Sequence, residues 1–136
     1  MFKKGDDLRQ DILTLQIFKI MHNLWFESGV KLKMNNYNVI CTGYFQGMLQ
    51  IVTESETLAT IHKQFGSIIA PFSSKPLKQW LKNNSKCSEK EYTENFKLSC
   101  AAYCLATFVL GIGDRHNDNI MIKEVSYLVI YLLIEW

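Results

Sequence analysis

SCAAYCLATFVLGIGDRHNDNIM, residues 99 to 121, joins a run of small and apolar residues to a loop crowded with charge. The positions up to Leu110 read as a buried helix, in which Ser99, Cys100, Ala101 and Ala102 admit close neighbours. Gly111 is a stop signal, because glycine accepts the left-handed backbone at a helix end. Asp114, Arg115, His116, Asp118 and Asn119 then crowd together ahead of the apolar pair Ile120-Met121. The plain account is an Asn/Asp-rich turn between a helix and a strand. Use in chemistry is the preferred account, since charged groups between two buried elements are costly unless they are paired or employed. Asp114 and His116 are a candidate acid/base pair. Asp118 and Asn119 offer oxygen ligands to a hard cation such as magnesium. Arg115 suits the orientation of a carboxylate or the screening of phosphate charge.

Working back from this stretch, Ser88 and Glu91 form a capping box that opens the helix ending at Leu110. Pro76 stands where the first turn of another helix, LKQWLK, begins. Asn83 to Lys86 is a polar break. Thr53 to Glu56, TESE, is a second capping-box pattern and predicts a helix through about Phe65. NVICTGY and MLQIV predict a hairpin, with the turn at Phe45-Gln46-Gly47. Residues 7 to 25 predict a long helix. Leu13, Ile17, Ile20, Met21 and Leu24 share one face, and Leu8, Ile12, Leu15 and Phe18 cover much of the rest. A helix this apolar is expected to be enclosed on several sides. After the polar loop, short strands are expected. The layout is α+β, with a small sheet first and helices after it.

A second polar cluster, KKGDDLRQD, occupies residues 3 to 11. On a helix, Asp7 and Asp11 would be neighbours one turn apart, and like charges there repel unless a cation is near. Lys3 or Lys4 could supply that cation. Taken alone, the cluster is no more than a charged helix start.

Composition narrows the classes. The 136 residues suit one domain or a large piece of one, and a formal charge of +2 gives no broad basic field for nucleic acid. Cys41, Cys87, Cys100 and Cys104 form no C-x-x-C pair, and no histidine stands at zinc-ligand spacing from them. They read as buried free thiols of a reducing compartment. The N-terminus has no apolar signal region. The apolar run YLVIYLLI is far short of the roughly 20 residues that span a bilayer.

GDDLRQD at 5 to 11, followed by GIGDRHNDNIM at 111 to 121, resembles the catalytic domain of the phosphatidylinositol 3-kinases. The resemblance runs from Phe2 to about Glu124 and includes LTLQI, NLW at 23 to 25 and PLKQWLK. Phosphatidylinositol 4-kinases and the related large protein kinases share a shorter D-R-H-x-x-N core. CLATFVLGIGDRHNDNIM is more similar to the class I and class II lipid kinases, and does not separate those two.

The resemblance implies a partial protein-kinase-like fold: the end of the small lobe, the hinge, and the helical large lobe up to the catalytic loop. It implies ATP and magnesium as cofactors, and phosphorylation of the inositol ring of a membrane lipid. Lys3 matches the strand lysine that contacts the phosphates. Asp7 and Asp11 match acids beside it, and Tyr37 a pocket tyrosine. Gln50 to Val52 match the hinge that reads adenine, and Met121 a residue packed on it. Asp114, Arg115 and His116 match the catalytic loop, with His116 as base. Asn119 matches a magnesium-binding asparagine, whereas Asp118 fills a variable place. A cytoplasmic protein acting peripherally at membranes is implied, with phosphatidylinositol lipid as its partner, and a regulatory subunit is compatible with the family.

From Val125 the match vanishes. The family's Asp-Phe-Gly metal motif is expected near Leu132, but the sequence reads EVSYLVIYLLIEW, without an aspartate after Asp118. Residues 1 to 124 are therefore expected to form the partial catalytic domain, and 125 to 136 a divergent apolar tail. Val125-Ser126 can be encoded by GTAAGT, a common intron start, so a gene-model artefact is one expectation for the tail. The chain as written is expected to be inactive. Two rivals are an inactive or regulatory fragment of the same family, and a small membrane-associated protein using the apolar tail. The last is weakest, because the tail carries no basic flank.

Overall fold

The computed structural model describes residues 1–64, 74–113, 115–125 and 128–130. Its elements run β1 (Phe2–Lys4), α1 (Arg9–Glu27), β2 (Val39–Gly43), β3 (Gln46–Leu49), β4 (Ser55–Thr57), α2 (Leu58–Gln64), α3 (Lys75–Asn84), α4 (Glu89–Leu110), β5 (Ile120–Lys123) and β6 (Leu128–Ile130). Two antiparallel three-stranded sheets result, in the orders β1-β3-β2 and β4-β5-β6. The segment from Gln50 to Glu54 is the link between them. Met121 pairs with Thr57 on one side and Val129 on the other, so the strand after the polar loop is the centre of the second sheet.

The hairpin forms, but its turn differs from the expectation. Gln46 and Gly47 already belong to β3, and the turn falls on Tyr44 and Phe45, with Phe45 at φ 51°. Gly47 serves close approach: a Cβ there would lie 2.4 Å from the Ile40 carbonyl oxygen and 2.7 Å from Leu8 Cδ1. That absence of a side chain lets Leu8, the residue leading into α1, settle on the sheet.

TESE does not cap a helix. Ser55 and Glu56 enter β4, and the cap is Thr57, whose hydroxyl accepts the Thr60 N–H at 3.1 Å. Pairing with β5 outcompeted the local pattern. Pro76 lies in the first turn of α3, and α3 continues through Asn84, into the expected break. Ser88 caps α4 by accepting the Glu91 N–H, and Gly111 closes it in the left-handed conformation at φ 63°. Both ends are as expected. Phe65, the expected end of the second helix, lies outside the described residues.

Helix α1 differs most. It starts at Arg9, so Asp6 and Asp7 precede it, and Asp7 is not a helical neighbour of Asp11. Its buried residues are Asp11, Leu15 and Phe18, while Leu13, Ile20, Leu24 and Phe26 are exposed. The enclosure expected on several sides is absent among the described residues; one stripe is covered. Phe18 packs edge-on against Tyr103 of α4, with ring centroids 5.8 Å apart. Tyr103 is buried, and its hydroxyl donates to the Asn35 carbonyl at 2.7 Å. This contact locks the loop before β2 onto α4. Leu8, Tyr37, Leu49, Trp80 and Ile122 extend the core through both sheets.

Candidate functional site

Lys3 sits in the middle of the three-residue β1, opposite Gly47 of β3. Its ammonium pairs with Asp6, three residues on. Asp7 turns to Arg9, whose Nε donates to the carboxylate at 2.8 Å and whose Nη2 does so at 2.5 Å. The Arg9 guanidinium holds the Asp7 carboxyl at about 2, below its ordinary value. Asp7 is thus spent locally, at the entry to α1.

Asp11 is different. It is 5% exposed, on the buried stripe of α1, and its Oδ1 has no hydrogen-bond partner among the described residues. Burial pushes its carboxyl up to about 6, while the charges of Lys3 and Arg115 act the other way. The two polar clusters, more than a hundred residues apart in sequence, therefore meet electrostatically at this one carboxyl. Sequence spacing showed each cluster, and folding joined them.

The loop after Gly113 is a tight turn. The His116 N–H donates to Asn119 Oδ1 at 3.0 Å, and the Asn119 N–H returns to the His116 carbonyl at 3.1 Å. Asn119 is 3% exposed. The Asn117 carbonyl accepts the Ala59 N–H at 2.9 Å, anchoring the turn on the first residues of α2. Arg115 Nε donates to the Gly113 carbonyl at 2.8 Å. His116 Nδ1 accepts the Asp118 N–H at 3.3 Å and lies 3.5 Å from the Asp118 carboxylate. Asp118, given no role by the resemblance, is the side chain that touches the imidazole. Its spacing of two residues on a turn was the available signal. Asp114 lies outside the described residues.

Of the remaining residues, Gln50 and Val52 lie in the link between the sheets, Tyr37 just before β2, and Met121 in β5. Gln50 is tied to Asn38: its Oε1 accepts the Asn38 N–H at 3.0 Å and the carboxamide at 2.9 Å, and its own N–H donates to the Asn38 carbonyl at 2.8 Å. The Val52 carbonyl accepts the Ser55 hydroxyl at 2.7 Å. Tyr37 is buried in the core, and Val52 and Met121 pack against that core half-buried.

A family model described as phosphatidylinositol 3- and 4-kinase matches residues 1–130. The chain belongs to the phosphatidylinositol 3- and 4-kinase family. It is 50% identical over 131 residues to phosphatidylinositol 3-kinase 2 of Dictyostelium discoideum, covering 94% of this chain and 7% of that protein. It is 46% identical over 131 residues to the phosphatidylinositol 4-phosphate 3-kinase C2 domain-containing subunit alpha of Pongo abelii, covering 94% and 8%. It is 42% identical over 130 residues to the human phosphatidylinositol 3-kinase C2 domain-containing subunit gamma, covering 94% and 9%. The chain thus spans less than a tenth of the length of these relatives. This phosphoinositide-kinase segment is a phosphotransferase-family chain of mixed helix and sheet. No helix among its described residues is long and apolar enough to cross a membrane.

As a nucleotide site, the segment offers a lysine on a strand, a link between two sheets, and an orphaned buried carboxylate oxygen beside that lysine's charge. A ligand or its water would satisfy that oxygen. Among the described residues no three His, Cys, Asp or Glu side chains form a metal-binding group. The Asn119 oxygen already accepts a backbone N–H.

Proposed function

We propose that this chain is the part of an ATP-dependent lipid kinase running from the phosphate-contacting lysine to the catalytic loop, and that the kinase phosphorylates the 3-position of the inositol ring of phosphatidylinositol lipids. The convergence of Lys3 and Arg115 on the buried Asp11 supports this reading. Phosphoryl transfer is mainly positioning and charge neutralisation, and it needs cations and oriented polar groups around one cleft.

When bound, ATP supplies the phosphoryl group. Lys3 balances phosphate charge, with Asp11 and Asp6 setting where its ammonium rests. The backbone of Gln50 to Val52 reads the adenine, and Tyr37 and Met121 form apolar walls. His116 takes the proton of the attacking inositol hydroxyl, and Asp114 and Arg115 flank it. Asn119 holds the His116 backbone. Magnesium belongs to the family's chemistry, with Asn119 as the one matching ligand here. The substrate places the kinase peripherally at a membrane surface in the cytoplasm, in lipid signalling, and a regulatory subunit fits this setting.

In a full-length kinase carrying this segment, His116→Ala should lower labelled-phosphate transfer to phosphatidylinositol vesicles by roughly 10²–10⁴-fold while nucleotide affinity changes little. Wild-type turnover in that variant would remove His116 from the role of base. The second reading, an inactive or regulatory member of the family, draws on the sequence after Asp118, EVSYLVIYLLIEW, which holds no aspartate where the family's Asp-Phe-Gly motif is expected. Nucleotide binding without any transfer by the unaltered full-length protein would favour it. Phosphate found at the 4-position of the lipid product would favour a 4-kinase.

A further inference from the structure

The link from Gln50 to Glu54 joins the two sheets, and each of its ends is held from elsewhere in the chain. At the first end, Gln50 is bonded to Asn38. At the second, Glu54 takes the left-handed backbone at φ 54°, a conformation that a residue with a Cβ seldom adopts. The Glu54 carbonyl accepts the Glu124 N–H at 2.9 Å, one step beyond the register pair Ser55↔Lys123. Glu54 and Glu124 are therefore cross-strand neighbours, and like charges in that relation repel.

Lys86 answers this repulsion. Its ammonium lies 2.7 Å from Glu54 Oε1 and 3.0 Å from Glu124 Oε2. It stands on the short connection between α3 and α4, which is itself tied down. The Ser85 N–H donates to the Leu81 carbonyl at 2.9 Å, and the Ser85 hydroxyl lies 3.1 Å from the Cys87 thiol. The hydrogen bond from Lys86 keeps the Glu54 carboxyl below its ordinary value, and the Lys123 charge acts the same way. One cation thus ties the end of the link to the end of β5 and to the α3–α4 connection. Lys86 is 61% exposed, and an ion pair so placed adds little to stability. What it adds is position, because it holds the rare backbone conformation at the end of the link.

We propose that Lys86 is a positioning residue for the nucleotide: by clamping Glu54 to Glu124 it fixes the link in the form that receives the base. This rests on the reading of Gln50 to Val52 as the segment that reads adenine. The base is remote from the transferred phosphoryl group, so its contacts are alike in the ground and transition states. Weakening such contacts raises KM and leaves kcat unchanged.

The test is steady-state kinetics of a full-length kinase carrying this segment, with ATP varied over phosphatidylinositol vesicles. Hydrogen exchange of the same protein without nucleotide reads the clamp independently of the kinase reading. Lys86→Gln should raise KM for ATP about two- to fivefold at unchanged kcat, the size that exposed ion pairs allow. Exchange across residues 50 to 54 and at the Glu124 amide should quicken. Lys86→Arg should restore both, since a guanidinium also bridges carboxylates. Glu124→Gln should act as Lys86→Gln does, and the double variant should add nothing further. Lys63→Gln removes an exposed charge on α2 and should change neither readout. Quickened exchange at unchanged KM would overturn the proposal through the adenine reading of the link. Unchanged exchange would overturn it through the clamp. A fall in kcat that Lys86→Arg does not rescue, or an equal rise of KM in Lys63→Gln, would overturn it as well.

Discussion

Asp11 carries a carboxyl into the covered stripe of α1, where the charges of Lys3 and Arg115 act on it. Its folded value of about 6 stands above the ordinary 3.8. Between those values the folded chain holds a proton that an open chain has released. The stability from this group is therefore complete below 3.8 and lost as pH rises through about 6. Asp11→Asn should flatten the fall in stability across that window, read as midpoint temperature against pH. A slope unchanged by the substitution would assign it to another group. Gly47 makes a different residue-scale claim. A Cβ on this residue would meet the Ile40 carbonyl oxygen at 2.4 Å and Leu8 Cδ1 at 2.7 Å, so an alanine must push β2 or Leu8 away. Gly47→Ala should cost about 1–3 kcal/mol, the range of overpacked cores, measured by denaturant titration. Gly29, where a Cβ meets nothing within 4 Å, would lose only its freedom at φ 74°.

At the scale of the element, α4 has the clearest boundaries. Ser88 supplies an oxygen to the otherwise unsatisfied Glu91 N–H, and Gly111 allows its own N–H and that of Ile112 to return to Phe108 and Thr107. Ser88→Ala should remove about 1 kcal/mol of helix stability. Gly111→Ala should remove about 1–2 kcal/mol, because a Cβ opposes the left-handed backbone. Circular dichroism of a peptide covering residues 86 to 113 reads both without tertiary contacts. Unchanged helicity in either variant would contradict the assigned cap. Helix α2 shows why such signals are not decisive. TESE has the spacing of a capping box, yet Ser55 and Glu56 are drawn into β4 by the register Ser55↔Lys123 and Glu56↔Ile122. Backbone bonds to a strand more than sixty residues away prevail over a local side-chain cap.

Over the whole molecule, the uncovered apolar surface stands out. Leu13, Ile20 and Leu24 leave one face of α1 to solvent, Phe26 is exposed near its C-terminal end, and Phe108 and Val109 are exposed at the end of α4. Phe26 is 78% and Phe108 85% exposed. Contiguous apolar surface beyond a few hundred Å² drives association. The 136-residue chain should therefore sediment above its monomer mass at micromolar concentration, and Phe26→Glu with Phe108→Glu should shift it toward monomer. A monodisperse parent chain, unaffected by those substitutions, would show that the surface is inert.

Sequence alone determined what local chemistry determines. The cap at Ser88 and the stop at Gly111 need no neighbours beyond one turn. The hairpin pairing of β2 with β3 follows from β-branched runs and proximity. The family rests on GDDLRQD and GIGDRHNDNIM, residue for residue. Three things were decided only by tertiary structure. Which stripe of α1 is buried could not be read from a helix apolar nearly all round, because periodicity has no preferred direction there; contact of Phe18 with Tyr103 marks the stripe that the fold chose. The turn at Tyr44-Phe45, in place of one at Gly47, came from Leu8 pressing on the sheet where only a glycine fits. The meeting of Lys3 and Arg115 at Asp11 is a distance in space between groups far apart along the chain, and a pattern in sequence measures separation along the chain only.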